Sequence, residues 1–99
     1  MAARPVMPGE PSLRIDKLLF FLRLAKSRSL AQKIVEEGHI RLNGRRVLHT
    51  HSQVRAGDML TLPSLRGSRL LRIQALPTKR GPAMEAAACY ADMDAGHGE

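Results

Sequence analysis

Apolar residues recur at helical spacing near the start of the chain. Positions i, i+3, i+4 and i+7 of this segment hold Ile15, Leu18, Leu19 and Leu22. This spacing lines one face of an α-helix and predicts a buried stripe. Three basic residues, Arg14, Lys17 and Arg23, lie off the stripe. With Asp16 as the only acid among them, we expect these side chains to face solvent or a ligand.

A second amphipathic helix is predicted after Lys26. Ser27 and Ser29 are alternative N-caps, and Ser29 with Gln32 three residues later matches a capping box. Gly38 is placed to end the helix, because glycine adopts the left-handed backbone at low cost. The apolar stripe of this helix consists of Leu30, Ala31, Ile34 and Val35.

Alternating apolar and polar positions predict strands in the middle of the chain. The predicted strands are His39–Leu42, Arg45–Leu48, Met59–Leu62 and Leu70–Leu76. Asn43 and Gly44 separate the first two and indicate a tight hairpin, because both residues tolerate positive φ. We expect Pro63 to end the third strand. A final helix is predicted from Pro82 to about Ala95, where alanines are frequent.

Positive charge is concentrated between Arg14 and Leu62. Ten Lys and Arg side chains against four Asp and Glu leave a net charge of +6 there, out of +7 for the whole chain. Phosphates that bind such side chains release condensed counterions, so a polyanion is the expected partner. Phe20, Phe21 and Tyr90 are the only aromatic residues, and we expect none on a strand. Recognition should therefore use phosphates, sugar hydroxyls and RNA shape rather than base stacking.

Other kinds of site find little support in the sequence. The single cysteine, Cys89, allows no internal disulfide and favours a reducing, cytoplasmic location. No apolar run is long enough to span a membrane. His49 and His51 are too few to complete a metal site. Ser27 and Ser29 have no His or Asp at a spacing that implies an activated nucleophile. We therefore expect no enzymatic activity, no metal and no cofactor.

Five short motifs in a fixed order identify a family resemblance. They are Arg14-Ile15-Asp16-Lys17, Lys26-Ser27-Arg28, Gly38-His39-Ile40, Leu42-Asn43-Gly44 and Ala56-Gly57-Asp58. From Leu13 to Leu62 the chain resembles the S-four RNA-binding domain, named for the fourth protein of the small ribosomal subunit. The resemblance implies an α+β fold in which two helices pack on a small curved antiparallel sheet, followed by a C-terminal helix. The segment Lys79–Tyr90 resembles that helix in one branch of the family, the small ribosome-associated heat-shock proteins of bacteria.

The resemblance also implies a binding surface and partners. The implied RNA-binding residues are Arg14, Lys17, Lys26, Ser27, Arg28, Gln32, Arg41, Asn43, Gly44 and Arg45. Asp16 is assigned a structural role, pairing with a nearby arginine or supporting the helix start. The implied partners are ribosomal RNA and the large ribosomal subunit, with transfer RNA as an additional candidate. The implied role is to help recycle free large subunits that still carry a nascent chain after translation stops prematurely.

The resemblance and the patterning together divide the chain into three segments. We expect a flexible arm over residues 1–12, the RNA-binding domain over residues 13–76, and a basic linker, helix and acidic tail over residues 77–99. We expect a monomer in solution.

Two other functions are weighed against this one. The domain also serves as a targeting module of RNA-modifying enzymes, but the short chain and the lack of an acidic catalytic motif disfavour this. A DNA-binding helix-turn-helix regulator would read bases with Arg28 and Gln32 on the second helix. The adjoining hairpin and basic loop fit that geometry poorly.

Overall fold

A computed structural model describes residues 11–65 and 67–93. Most of the predicted N-terminal arm and the last part of the predicted acidic tail lie outside these residues. The helices are α1 (Ile15–Phe21), α2 (Arg28–Glu36) and α3 (Ala83–Ala87). The strands are β1 (Leu13–Arg14), β2 (Ile40–Leu42), β3 (Arg45–Val47), β4 (Gln53–Val54), β5 (Met59–Ser64), β6 (Gly67–Ile73) and β7 (Tyr90–Asp92).

The described strands form two antiparallel sheets. The larger sheet has the order β3-β2-β5-β6-β7, and β1 pairs with β4 in a separate two-stranded ladder. Helices α1 and α2 pack together over one face of the larger sheet, and their buried residues share one core with the strands. The predicted α+β class, with two helices on a small antiparallel sheet and a third helix near the C-terminus, is confirmed.

The two predicted apolar stripes differ in how completely they are buried. All four residues of the α1 stripe are at most 2% exposed, which confirms the prediction from their spacing. On α2, Ala31 and Val35 are fully buried and Ile34 is partly buried, whereas Leu30 is 39% exposed. The N-cap of α2 is Ser27, whose Oγ accepts a hydrogen bond from the Leu30 amide at 3.0 Å. Of the two candidate caps, the structure therefore selects Ser27.

The third predicted strand is longer than its sequence pattern suggested. β5 continues through Pro63 to Ser64, and Pro63 lies opposite Ser68 of β6. The prediction that Pro63 ends the strand was wrong. On the other side of β5, the register with β2 stops at Thr61. Pro63 thus lies at a free edge, where the missing amide interrupts no ladder.

The C-terminal segment departs most from prediction. Helix α3 ends at Ala87, and the predicted extension to about Ala95 was wrong, because the chain turns and adds β7 to the sheet. Tyr90 lies opposite Ile73, and the amides of Gln74 and Ala75 donate to the Cys89 carbonyl at 2.8 and 3.1 Å. These backbone bonds outweigh the modest helix preference of the surrounding alanines.

Tyr90 also corrects the expectation that no strand carries an aromatic residue. Its ring is partly buried against the core, and the Arg69 guanidinium lies 5.6 Å from the ring centroid. Arg69 Nε donates to the Asp92 carboxylate at 2.9 Å. Tyr90 is therefore a packing residue rather than a platform for stacked bases.

Candidate nucleic-acid interface

A buried carboxylate gathers basic residues at the start of α1. Arg14 donates to both carboxylate oxygens of Asp16, from Nε at 3.1 Å and from Nη2 at 3.0 Å. Arg28 Nη2 and Gln32 Nε2, both from α2, donate to Asp16 Oδ2 at 3.1 and 3.0 Å. The Lys17 amide completes the set at 2.8 Å from Oδ1. We call Asp16, Arg14, Arg28 and Gln32 the Asp16 cluster.

Asp16 is 0% exposed, but its two arginine partners are not buried. Their side chains are 41% and 39% exposed, so each guanidinium is held by Asp16 while part of its side chain remains accessible. Arg28 Nε is an exception, because it is buried without a hydrogen-bond partner among the described residues. One negative charge cannot neutralise two positive ones, which leaves the cluster cationic. The arrangement therefore presents two oriented guanidinium groups to solvent at the junction of α1 and α2.

The ionisation of Asp16 follows from the same contacts. Burial by itself would raise the pKa of this carboxyl, because a low-dielectric environment disfavours charge. Hydrogen bonds from Gln32, Arg28, Arg14 and the Lys17 amide act in the opposite direction and together lower the pKa below its ordinary value. Asp16 therefore stays charged at neutral pH and continues to hold both arginines.

The N-terminus of α2 lies next to the cluster along the chain. Ser27 Oγ accepts the capping hydrogen bond, which leaves its hydroxyl hydrogen free to donate to an oxygen of a ligand. Lys26 and Ser27 are exposed. The positive end of the α2 helix dipole also lies here, so the N-terminus of α2 favours an anion.

The predicted hairpin turn is present, but its asparagine faces the protein. Asn43 and Gly44 have φ values of 52° and 85°, as the tight turn requires. Asn43 Nδ2 donates to Asp58 Oδ1 at 3.2 Å, and the Met59 amide donates to Asn43 Oδ1 at 2.9 Å. Asp58 is 2% exposed and also accepts from the Arg55 amide at 2.8 Å. The Asn43 amide is therefore a brace between the hairpin and the turn before β5.

The ten predicted residues are distributed unequally over the fold. Arg14, Arg28 and Gln32 meet at Asp16, with Lys17, Lys26 and Ser27 adjacent to them along the chain. Gly44 and Arg45 are exposed at the hairpin. Arg41 lies opposite Arg46 on β2 and β3, one position along from the buried pair Ile40 and Val47. Since side chains alternate across a strand, Arg41 points away from the helices and lies apart from the Asp16 cluster.

Sequence reasoning missed two features of this region. Asp58 was noted only as part of the motif Ala56-Gly57-Asp58, although its carboxylate accepts a hydrogen bond from the Asn43 side chain. Arg46 was not selected, although a two-residue turn at Asn43-Gly44 places it directly across from Arg41. Because a two-residue turn fixes which residues pair across a hairpin, the sequence alone could have placed Arg46 opposite Arg41. The sequence contained no comparable signal for the partner of Asp58.

A metal site and a membrane span were also sought within the described ranges. The rings of His49 and His51 lie 5.5 Å apart, centroid to centroid. Residues 11–65 and 67–93 contain no group of three or more potential metal-binding side chains. Over the same ranges, no helix has the length and apolar character needed to cross a bilayer.

Known proteins resemble this chain in both sequence and structure. Residues 13–60 match the S4 domain. The small ribosomal subunit protein uS4 of Opitutus terrae is 39% identical over 67 residues, which cover 68% of this chain and 33% of that protein. Heat shock protein 15 of Escherichia coli is 35% identical over 78 residues, covering 79% of this chain and 58% of that protein. The chain thus spans a third of uS4 and somewhat over half of heat shock protein 15 from E. coli.

A solved structure is similar over most of its length. It is that of heat shock protein 15 from Vibrio cholerae, described as trimeric at 2.3 Å resolution. The TM-score is 0.77 and the sequence identity is 32%. The similarity covers 83% of this chain and 82% of the Vibrio chain, so it includes regions outside the S4 domain match.

We predict that Asp16→Asn destabilises the protein in a pH-dependent way. At pH 7 the loss should be about 1–3 kcal/mol, because two arginines lose their charged acceptor. A carboxyl whose pKa is lowered on folding stabilises the folded state above its unfolded pKa of about 3.9, and this contribution is lost as pH falls through the folded value. Urea unfolding at several pH values should therefore show a wild-type advantage that is constant above about pH 5 and shrinks below about pH 4. A difference independent of pH would contradict this role.

We predict that Asn43→Gly costs stability and spares RNA affinity. Glycine permits the positive φ of this position, so the substitution removes the two side-chain hydrogen bonds without straining the turn. Their loss should lower the free energy of unfolding by about 1–3 kcal/mol, because the buried Asp58 loses a donor. Arg45→Gln, at the other end of the turn, is the control that should lower affinity for RNA and leave stability nearly unchanged. A large loss of affinity in Asn43→Gly with unaltered stability would make Asn43 a direct contact.

Proposed function

This chain belongs to the S4 domain family, in the branch of heat shock protein 15, and from that membership we propose that it binds structured ribosomal RNA. The observation that carries the proposal is the Asp16 cluster. Its two guanidinium groups are held in place by a buried carboxylate, and the two arginine side chains are 41% and 39% exposed. Because these groups are ordered before binding, little side-chain entropy is lost when a phosphate binds.

The surroundings of the cluster support a phosphate ligand. Lys17 lies on α1 beside Asp16, and Lys26 and Ser27 precede the first turn of α2. Arginine can fork onto two phosphate oxygens, whereas lysine contributes a mobile point charge. We infer that Arg14 and Arg28 set the position of the RNA backbone and that the lysines add affinity.

Folded RNA is the form that this surface suits. The two arginines are fixed on rigid elements and so select ligands whose phosphates have fixed spacing. Among the described residues, all three aromatic side chains are partly buried, and Tyr90 is packed against the core. Recognition by splayed and stacked bases is therefore less compatible with the surface than recognition of backbone shape.

We further propose that the RNA belongs to the large ribosomal subunit and that the protein helps to recycle subunits that still carry nascent chains. Membership in the heat shock protein 15 branch supports this choice over a targeting module of an enzyme. The oligomeric state is a separate question. We expect a monomer, whereas the Vibrio cholerae relative is described as trimeric, and sedimentation of the purified protein would distinguish the two.

We predict that binding is electrostatic and depends on Arg28. If ~5 phosphates are contacted, the logarithm of the affinity for ribosomal RNA should fall with log salt at a slope of roughly −4. Arg28→Ala should weaken binding by about 1–2 kcal/mol, because a charged hydrogen bond to phosphate is lost. Lys33→Ala, which removes the same charge from the last turn of α2, is the matched control and should have a smaller effect. Titrations of labelled RNA at several salt concentrations measure both quantities.

Two results of that titration would count against the proposal. A slope near zero would exclude a phosphate-dominated interface. Equal affinities of the Arg28 and Lys33 variants would mean that the Asp16 cluster is not the contact surface. Arg28 also donates to Asp16, so affinities should be compared well below the melting temperature of each variant. Duplex DNA and transfer RNA at matched salt are the competitors that test the choice of nucleic acid.

We predict that the protein sediments with large ribosomal subunits. In a sucrose gradient of cell extract, the wild-type protein should peak with that subunit, and Arg28→Ala should shift towards the top. The Lys33→Ala variant should sediment like the wild type. Wild-type protein spread evenly over free RNA, both subunits and polysomes would contradict the assignment to the large subunit and leave RNA binding itself intact.

A further inference from the structure

Three arginines occupy the face of the larger sheet that points away from α1 and α2. Ile40 and Val47 are 1% and 7% exposed and face the core, so their strand neighbours Arg41 and Arg46 point outward. On β6, Arg72 lies between the fully buried Leu71 and Ile73 and points the same way. We call Arg41, Arg46 and Arg72 the outer arginine face, and all three residues are exposed.

The strand register places these arginines near one another. Arg41 pairs directly with Arg46, so their Cα atoms are about 4.5–5.5 Å apart. Arg41 also lies opposite Thr61 of β5, while Arg72 lies opposite Met59, two residues further along the same strand. Arg72 is two strand spacings across the sheet and two residues along the strand from Arg41, so their Cα atoms are roughly 12 Å apart. All three side chains can therefore reach one extended anionic ligand.

No carboxylate compensates these charges within the part of the chain that the structure describes. None of the three arginines forms an ion pair with a described residue. Asp92, on the edge strand β7, lies opposite the buried Leu71, so it belongs to the inner face, where it binds Arg69. Like charges directly across a ladder destabilise a sheet. The pairing of Arg41 with Arg46 therefore does not stabilise the isolated domain. A polyanion bound to both side chains would offset their mutual repulsion.

Arg46 has one structural explanation that the other two arginines lack. A Cβ added at Gly38 would lie 3.2 Å from Arg46 Cδ, so the Arg46 side chain passes close to Gly38, just beyond the C-terminal end of α2. A cation is favourable near that end of a helix. This contact does not account for Arg41 or for Arg72, which lies two strands further across the sheet from β2.

We propose that the outer arginine face is a second phosphate-binding surface, which lets one protein hold two RNA segments on opposite sides of the domain. The Asp16 cluster belongs to the helical layer, and the outer arginine face lies on the far side of the sheet. A rigid RNA helix lying on one surface cannot also lie on the other. The choice of RNA as the second ligand rests on the proposed function of the Asp16 cluster. An acidic protein surface is the competing occupant.

The test uses two RNA hairpins and the full chain. A biotinylated hairpin is immobilised, saturated with protein and washed, and capture of a second, fluorescent hairpin is measured. Wild-type protein should capture the second hairpin. The triple variant Arg41→Gln/Arg46→Gln/Arg72→Gln should still bind the immobilised hairpin but capture about tenfold less of the second. The salt dependence of the residual capture should flatten by about 2–3 in slope, because up to three phosphate contacts are lost.

Two controls separate charge from folding. The triple Lys variant at the same positions keeps the charge and should retain most of the capture. The triple Gln variant should melt within a few degrees of the wild type, because removing the repulsion between Arg41 and Arg46 offsets the loss of the Arg46 cation near the end of α2. Lowered capture together with a much lower melting temperature would attribute the effect to damage of the sheet and overturn the proposal.

The remaining outcomes distinguish failure of the second phosphate-binding surface from failure of the proposed function. Wild-type protein that binds the first hairpin and never captures the second overturns the second surface and leaves the Asp16 cluster as the RNA site. Equal capture by wild-type and triple Gln proteins means that bridging arises from protein oligomers, which also overturns it. If the protein captures no second hairpin but its ribosome association depends on the outer arginines, this face binds an acidic protein instead of RNA. Wild-type protein that binds no hairpin at all removes the proposed function as well.

Discussion

The carboxylate of Asp16 is the contact on which the candidate binding surface depends. It accepts hydrogen bonds from the chain segment before α1, from α1 itself and from two successive turns of α2. A buried ion remains charged only when its partners offset the loss of hydration. Here the partners are the side chains that would contact RNA, so one carboxylate stabilises the junction of α1 with α2 and also orients the cationic surface.

A second buried acid has an analogous role at the hairpin. Asp58 accepts from the Asn43 side chain and from the Arg55 backbone, and thereby connects the tip of β2–β3 with the turn that leads into β5. Only these two polar residues are buried among the described positions. In a strongly basic chain, both acids thus contribute to the placement of elements that carry arginine.

The C-terminal segment returns to α1 and closes the domain. The Arg80 guanidinium lies 4.7 Å from the Phe20 ring centroid, and its Nε donates to the Phe20 carbonyl at 3.0 Å. Arg23 Nε donates to the Gly81 carbonyl at 2.7 Å. These contacts bring the segment before α3 beside the C-terminal part of α1, and after α3 the strand β7 joins the edge of the sheet. Phe20 therefore packs against the Arg80 side chain.

Local patterns in the sequence determined the elements whose stability is largely local. The apolar spacing of α1, the Asn43-Gly44 turn and the concentration of positive charge were all readable, because each depends on neighbouring residues or on composition. The tertiary structure decided what depends on distant partners. It joined residues 12 to 16 positions apart into the Asp16 cluster, and it turned Asn43 towards Asp58. It also ended α3 at Ala87, because Tyr90–Asp92 form backbone hydrogen bonds with the edge of β6. Helix propensity, which depends on local sequence, gives no information about such distant partners.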